Sequence, residues 1–558
     1  MGIQGVPISK ILQALMNQSI LLVLIGVLFL WSCPNLPAED RVSEMIRGMT
    51  LEQKVGQLIC LGFQGQKIQA RDIAHFQKIR PGGVVFYGRN FKDAAGIPPL
   101  ISRIHSISGE NKLPLFLAID QEGGLVHRIR GNYYRPPSAP AIGAANSEEL
   151  ARNVGLAVGS SLGGLGININ LAPVLDMPAD LLTSPMTLRS FGDHPQTVAK
   201  LGTAYIRGLQ DAGLLSAVKH FPGIGRSRED SHFKTPHIGW KTNGEKENDL
   251  LPFREAIRNG VDMVMVGHTI AEPGDGQNPV SLSFYWMEEV LRKEIGFKGL
   301  VIVDNIEMKA IQDLMSIPEA AVQSFKAGAD IVMVSHERKN QEAVFDALTR
   351  AIQRGEISSE RLHQSLRRII EAKMKIRSNQ GAAAVGQQLK EVAEAVAENS
   401  VAVIHRRDAP PIKVSKEKAV LYVGYHLTLF QALQDIFQRV EILNTPLAQY
   451  IIMKPEVDLQ QFLKPFYFLL IDADYPDARQ IIAASNDLGK EYVVCSHPLN
   501  IQKTLDKLQP KRVMVLFENS RAHTRAAVQI IRGIKGAKGK LPFRLELPET
   551  YTYPTTDR

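Results

Sequence analysis

The stretch that decides the fold is GFKGLVIVDNIEMKAI, residues 296–311. Four apolar, mostly β-branched residues, Leu300 to Val303, run without alternation into a carboxylate, Asp304. A strand with one face in water alternates apolar and polar residues. This one does not, so both its faces are predicted to be buried, as in a parallel sheet covered by helices. The same pattern recurs in GQLICLGF, GGVVFYG, PLFLAID, GININLAPVLD, LLSAVKHF, VDMVMVGH and ADIVMVSH, making eight runs between residues 56 and 336. Helix-length segments such as PQTVAKLGTAYIRGLQDAG and SFYWMEEVLRKEIG separate most of them, with apolar residues three and four apart. Eight strands alternating with helices predict an α/β fold, a (β/α)8 TIM-like barrel, rather than an open doubly wound sheet; no glycine-rich phosphate loop follows the first strand.

Chemistry in such barrels gathers at the C-terminal strand ends. Here those ends carry Asp120, Asp176, Lys219 with His220, His268 and Asp304. The fifth run leads into KHFPGIGRSREDSHF, residues 219–233, a loop dense in ionisable groups with no amphipathic period. In it Asp230 and His232 stand two apart; histidine exchanges protons near neutral pH, and a neighbouring carboxylate orients it. Asp304 reads from its position alone as a nucleophile, a base or a metal ligand. No short spacing of carboxylates or histidines supports a metal, and Glu307 and Lys309 read as surface charges of the following helix.

The rest of the chain bounds the reading. Its 558 residues suit two to four domains, and its composition, 44% hydrophobic and 22% charged, is that of a globular protein. The net charge of +8 comes without a basic run interleaved with aromatics or a zinc-finger spacing, so nucleic acid is not an expected partner. Residues 1–33 read as a signal peptide: SILLVLIGVLFLW is too short for a comfortable membrane span and runs into Cys33, the expected lipidation site. The expected location is therefore outside the cytoplasm, on a lipid anchor. Cys60 and Cys495 fall in strand-like runs and read as buried, inert thiols. The barrel is expected over 34–375, a linker and helix over 376–399, and a smaller α/β domain over 400–558. Its strands KAVLYVGY, RVEILN, FYFLLIDA, YVVCSH and RVMVLFE predict a parallel sheet.

Six separated stretches carry a resemblance: MTLEQKVGQLICLGF, AIDQEGGLVHRI, NINLAPVLDM, LRSFGDHP, AVKHFPGIGRSREDSHF and GFKGLVIVDNIEMKAI. In that order they resemble glycoside hydrolase family 3, in its β-N-acetylglucosaminidase branch, over about residues 41–375. GKLPF near the end resembles the family's C-terminal α/β sandwich more weakly. The resemblance implies a retaining, cofactor-free exo-glycosidase acting on carbohydrate, with Asp304 as nucleophile and His232, held by Asp230, as acid/base. It implies sugar-binding roles for Asp120, Arg128, Arg189, Lys219 and His220, with His268 and Asp176 binding or supporting. The readings against this are a Glu122 pair for Arg128 and packing of the RSFG turn for Arg189.

Two features depart from the family pattern. The usual Gly-His-Gly-Asp is Gly223-Ile224-Gly225-Arg226 here, and Leu125 stands where many members carry Arg. An Arg226 approaching His232 would disfavour the imidazolium and shift the pH profile to acid. The glycines at 223 and 225 are expected to let the loop move. Attack by phosphate instead of water is a variant the family allows. The alternatives are the same fold acting on a β-glucoside or β-xyloside, whose family enzymes lack the Asp-Ser-His loop, and a non-catalytic glycan-binding lipoprotein.

Overall fold

The structure is a computed structural model. It describes residues 38–552 apart from 109–112, 232, 275, 377–384, 407–408, 410–412, 445–457, 519 and 545–549. The signal-peptide reading and Cys33 lie outside the described residues. The residues up to Met49 form a unit of their own, whose described part holds the helix Ala38–Arg47; the second unit begins at Thr50. Thr50 opens the second unit with a capping box: its Oγ1 accepts from Gln53 N at 3.3 Å and Gln53 Oε1 accepts from Thr50 N at 2.8 Å. The Thr-x-x-Gln of the first motif thus starts the helix Leu51–Gln57.

Eight parallel strands close into a barrel: β1 (Ile59–Leu61), β2 (Gly83–Phe86), β3 (Phe116–Ile119), β4 (Ile169–Asn170), β5 (Leu215–Phe221), β6 (Met263–Val266), β7 (Leu300–Val303) and β8 (Ile331–Val334). Each lies in one of the eight apolar runs, and β8 pairs back onto β1 through Ile59 and Val332. Every residue of these strands is buried, as their unbroken apolar pattern requires. β4 is shorter than its run because Pro173 has no N–H for the ladder. The run still follows β5, with Leu175 N donating to Lys219 O at 2.7 Å, which brings Asp176 beside His220.

The two ends of the barrel differ in their polar chemistry. At the N-terminal end, fully buried Asp330 receives Arg292 at 2.6 Å, Arg368 at 2.8 Å and Ser365 Oγ at 2.5 Å. Burial pushes this carboxyl up, and the arginines more than offset it and hold it below its ordinary value. These are ties between outer helices and the sheet, at the end of the barrel that serves stability rather than chemistry.

A second buried charge is less well matched. Lys373 is 1% exposed, donates to Gln57 Oε1 at 2.7 Å and lies 4.9 Å from the Phe116 ring centre. Burial lowers its pKa to about 7, offset only slightly by Cys60, whose own thiol burial pushes up to about 12. A lysine with a depressed folded pKa binds fewer protons folded than unfolded above that value. Stability should therefore rise with pH between about 7 and the ordinary lysine value. Lys373→Met should remove this slope, worth about 2 kcal/mol between pH 7 and 9. Urea midpoints of both proteins across that window check it; parallel pH profiles would refute it.

The second sheet holds seven strands: β9 (Ala402–Arg406), β10 (Ala419–Val423), β11 (Arg439–Leu443), β12 (Phe468–Asp472), β13 (Glu491–Ser496), β14 (Arg512–Val515) and β15 (Tyr551–Thr552), in the order β11-β10-β12-β13-β14-β9-β15. The five strands read from the sequence are mutually parallel. The expectation of a wholly parallel sheet needs correction, because β9 pairs antiparallel with both β14 and β15. Its segment AVIHR begins two residues after the preceding helix ends at Ser400, with no turn signal to set it apart. That helix, Val385–Ser400, packs on the barrel helices Ala139–Ala145 and Glu148–Gly164 and on Arg521–Ile531 of the second domain. It is the apolar bridge between the two sheets.

Candidate active site

Five charged side chains interlock at the mouth of the barrel. Lys219, 2% exposed near the end of β5, bridges Asp120 Oδ1 and Glu122 Oε1, each at 2.7 Å. Arg128 reaches Asp120 Oδ2 at 3.2 Å. Arg189 grips Glu122 with two donors, Nε at 2.9 Å and a terminal nitrogen at 2.7 Å, the planar fork that suits a carboxylate. Burial pushes both carboxyls up, but the cations win: Lys219 and Arg128 hold Asp120 far below its usual range, and Arg189 and Lys219 hold Glu122 at about 2. Burial likewise opposes the Lys219 charge, and Asp120 and Glu122 more than restore it.

This geometry corrects the pair weighed for Arg128: its carboxylate is Asp120, and Glu122 belongs to Arg189 and Lys219. Arg189 is an ion-pair member of the site and not merely packing of its turn. Arg128 Nε is buried without a partner among the described residues, and its guanidinium carbon lies 5.7 Å from the Tyr87 ring centre.

Beside this cage, Asp176 is fully buried and accepts from His220 Nδ1 at 2.6 Å, from Ile224 N at 2.9 Å and from His220 N at 3.3 Å. One carboxylate thus fixes the imidazole and the start of the following loop. Ile224 is buried against Val174 and Met186, so the apolar replacement fills a small hydrophobic pocket. The glycines at 223 and 225 also hold the base of the loop close. A Cβ on Gly225 would stand 2.0 Å from Met177 O, and Gly223 has φ +111°. Arg226 is spoken for: its Nε donates to Asp249 Oδ2 at 2.5 Å and its guanidinium faces Glu245 at 3.7 Å, while Trp240 Nε1 shares Asp249 at 2.7 Å. Its charge is met on the helix Asn243–Arg258, while the approach to His232 on which the acid-shift expectation turns lies outside the described residues.

Asp304 directly follows β7. Its Oδ1 accepts from Asn305 N at 2.7 Å, and among the described residues Oδ2 accepts nothing. Buried His268 donates from Nε2 to Asn305 O at 3.1 Å, with Nδ1 2.8 Å from the Ser281 hydroxyl. Burial lowers its pKa, partly offset by Asp304, so it is a neutral prop under the Asp304–Asn305 turn.

Glu307 is not the surface charge the sequence suggested. It is 7% exposed and accepts from His336 N at 2.6 Å and Glu337 N at 2.9 Å, the two amides just before the helix Arg338–Gln353. Lys309 is exposed and pairs with Asp313. Asp230 is half-buried, and its carbonyl accepts from Phe233 N at 2.9 Å and Lys234 N at 3.0 Å, turning the loop just before β-paired His237–Gly239. His232 itself lies outside the described residues.

Two members of the site were missed from the sequence. Glu122 stands inside a motif but two residues past the strand end. Tyr87 ends the second run; it bonds Ser335 Oγ at 2.7 Å, and burial with the nearby carboxylates of Asp120 and Asp304 pushes its phenol up. The strand-end rule applied to GGVVFYG would have found it. Among the described residues no three His, Cys, Asp or Glu side chains converge to hold a metal ion.

The second domain grips both loops that carry the cage. Glu518, following β14, accepts from Ser138 N at 2.5 Å where the loop bearing Glu122 and Arg128 ends. The GKLPF segment docks on the Arg189 turn: Asp193 N donates to Pro542 O at 3.3 Å and Arg544 N to Asp193 Oδ2 at 2.8 Å. A Cβ on Gly192 would stand 2.3 Å from Pro542 O. Glu518→Ala strands a buried N–H, at about 1–3 kcal/mol. It should raise KM several-fold with little change in kcat; unchanged kinetics would show that the loop holds itself.

The comparisons agree with this architecture. Residues 50–372 match the glycosyl hydrolase family 3 N terminal domain. The chain is 34% identical over 275 residues to a beta-hexosaminidase of Thioalkalivibrio sulfidiphilus, covering 48% of this chain and 78% of that one. It is 32% identical over 328 residues to beta-hexosaminidase A of Pseudoalteromonas piscicida, covering 54% of this chain and 55% of that relative, about half its length. A family 3 beta-N-acetylglucosaminidase from Paenibacillus sp. str. FPU-7 superposes with a TM-score of 0.79 at 31% identity, covering 89% of this chain and 99% of the other. With the barrel, the ionic cage at its mouth and the family match all on the same residues, the chain belongs to glycosyl hydrolase family 3 and is a glycoside hydrolase.

Proposed function

We propose that this enzyme is a retaining exo-glycosidase that removes terminal β-linked N-acetylglucosamine from saccharides derived from cell wall or chitin. The observation that carries the reading is the pairing of two unlike carboxylate environments in one barrel mouth. Asp120 and Glu122 are locked in ion pairs, whereas Asp304 keeps one oxygen with no hydrogen bond among the described residues. Locked carboxylates and their arginines suit sugar hydroxyls, which both donate and accept. A free carboxylate oxygen suits attack. The names of the hexosaminidase relatives supply the sugar.

In the first step Asp304 Oδ2 bonds to the anomeric carbon as the bond to the leaving oxygen breaks, and His232 gives that oxygen its proton. In the second, water adds its hydroxyl to the anomeric carbon, returns a proton to His232 and releases Asp304. His268 and Asn305 hold the nucleophile's turn, and Asp176 holds His220 and the loop that leads to Asp230. The test is hydrolysis of chromogenic β-N-acetylglucosaminides by the protein and its His232→Ala variant. The variant should lose about 10²–10⁴-fold on a poor leaving group and far less on an activated one. Equal losses on both would remove His232 from proton donation, and inactivity of the unmutated protein would overturn the proposal.

A further inference from the structure

Asp120 and Asp304 divide the mouth of the barrel into two arcs. One runs through β4, β5 and β6, and its strand ends carry Lys219, His220 and His268. The other runs through β2, β1 and β8, and into it projects a phenol. Tyr87 directly follows β2, and the register that pairs Phe86 with Ile119 brings Tyr87 level with Asp120 on the neighbouring strand. Paired residues of parallel strands point to the same side, so the phenol enters the mouth as Asp120 does. Its hydroxyl lies 2.7 Å from Oγ of Ser335, which follows β8. That bond passes over the end of β1, where Gly62 presents no side chain. From Ser335 the hydrogen bonds run on to the turn of Asp304: Ser335 N donates to Asn305 Oδ1 at 3.1 Å, and Asn305 N to Asp304 Oδ1 at 2.7 Å.

The ring is clamped. The Arg89 guanidinium lies over it with its central carbon 4.3 Å from the ring centre, within cation–π distance, and donates in turn to Phe63 O at 3.1 Å and Ser335 O at 2.7 Å. The His336 ring stands at a tilt, 5.4 Å between centres. A phenylalanine would fill this clamp as well, so packing does not account for the hydroxyl. Two hydroxyls that bond each other use one of their two hydrogens. Among the described residues neither hydroxyl has another partner. Ser335 is fully buried and Tyr87 only partly, so the phenol is the member of the pair that a ligand can reach. Burial and the carboxylates of Asp120 and Asp304 push its pKa up, which keeps its hydrogen in place.

We propose that Tyr87 is a substrate-contacting residue that sets specificity for one hydroxyl of the bound sugar. A sugar hydroxyl that donates to Asp120 still has lone pairs with which to accept, and the Tyr87 O–H on the neighbouring strand donates to them. Both directions of that hydroxyl's hydrogen bonding are then met by fixed groups. An analogue without it leaves the carboxylate and the phenol short of a partner, which is how a site built to bond a hydroxyl rejects a sugar that lacks it. The choice of N-acetylglucosamine as the sugar rests on the function proposed above.

The test compares a chromogenic β-N-acetylglucosaminide with its analogues deoxygenated at C3, C4 or C6, using the full-length protein and its Tyr87→Phe variant. On the parent glycoside the variant should lose about three- to tenfold in kcat/KM, the scale of one hydrogen bond. On one of the three analogues that loss should fall below about twofold, because the contacted hydroxyl is already gone. No loss on the parent, or an equal loss on all four substrates, would overturn the proposal. Ser335→Ala breaks the same hydroxyl pair but keeps the phenol, and should retain most of the unmutated enzyme's preference for the parent over that analogue. A preference lost as fully in Ser335→Ala as in Tyr87→Phe would reduce the pair to a tie between β2 and β8 and sink the proposal. Calorimetric titration with N-acetylglucosamine reads the contact without turnover. Protein that binds this sugar but does not hydrolyse the glycoside would end the function proposed for the barrel. The contact would then stand or fall on whether Tyr87→Phe weakens binding by at least about threefold. Protein that neither binds nor hydrolyses would overturn both.

Discussion

Asp304→Ala should lower kcat on a chromogenic β-N-acetylglucosaminide by about 10⁴-fold or more, the scale on which removal of a nucleophile acts. The side chain has no structural duty that would confuse this result. Its Oδ1 takes only the amide next to it, and the turn is held separately by His268 on Asn305 O and by Asn305 Oδ1 on Ser335 N at 3.1 Å. Melting temperature should therefore change little while activity collapses. Azide supplies a second, independent readout. It fits the space of the missing carboxylate, bonds to the anomeric carbon as the aryloxide leaves, and should restore activity with a glycosyl azide of inverted configuration. Rescue that gives only the retained product, or a loss below about tenfold, would assign the attack elsewhere.

Lys219→Met should have the largest effect on stability, about 3 kcal/mol at pH 7, toward the lower end for breaking a buried ion pair. The loss stays at that end because Arg128 remains on Asp120 and Arg189 on Glu122. The pH dependence follows from the depressed folded pKa values of the two carboxyls. In the unmutated protein their contribution is complete above the ordinary carboxylate range near 4 and is lost as pH falls toward about 2 for Glu122. Without Lys219 both carboxyls rise, so the variant's deficit should narrow as pH is lowered from 7 to 5. Urea denaturation at both pH values measures it. A change below about 1 kcal/mol, or a deficit that widens on acidification, would show that Lys219 serves the substrate and not the cage.

The sequence determined a good deal by itself. The eight strands were legible because a parallel strand buried on both faces needs an unbroken apolar run, and each run kept that signature. The strand-end rule then put Asp120, Asp176, Lys219, His220, His268 and Asp304 at one end of the barrel without any knowledge of distances. What failed were the readings that depend on partners. Glu307 looked like a helix-surface acid because one turn of sequence cannot show that the amides of His336 and Glu337 lie above it. The partners of Arg226 were likewise illegible, because Asp249 and Glu245 come from a helix some twenty residues away. The antiparallel β9 and β15 were missed since β9 follows the preceding helix almost directly, β15 has only two residues, and their pairing lies far along the chain.

Tertiary structure alone decided who holds whom. Lys219 between Asp120 and Glu122 joins residues 99 positions apart, and Glu518 on Ser138 joins residues 380 apart. Local periodicity records which face of a strand or helix is buried; it carries nothing about which buried charge will meet another. Composition and spacing therefore set the barrel and the chemical types at its mouth, and only closure of the barrel and docking of the second domain set the pairing on which the chemistry depends.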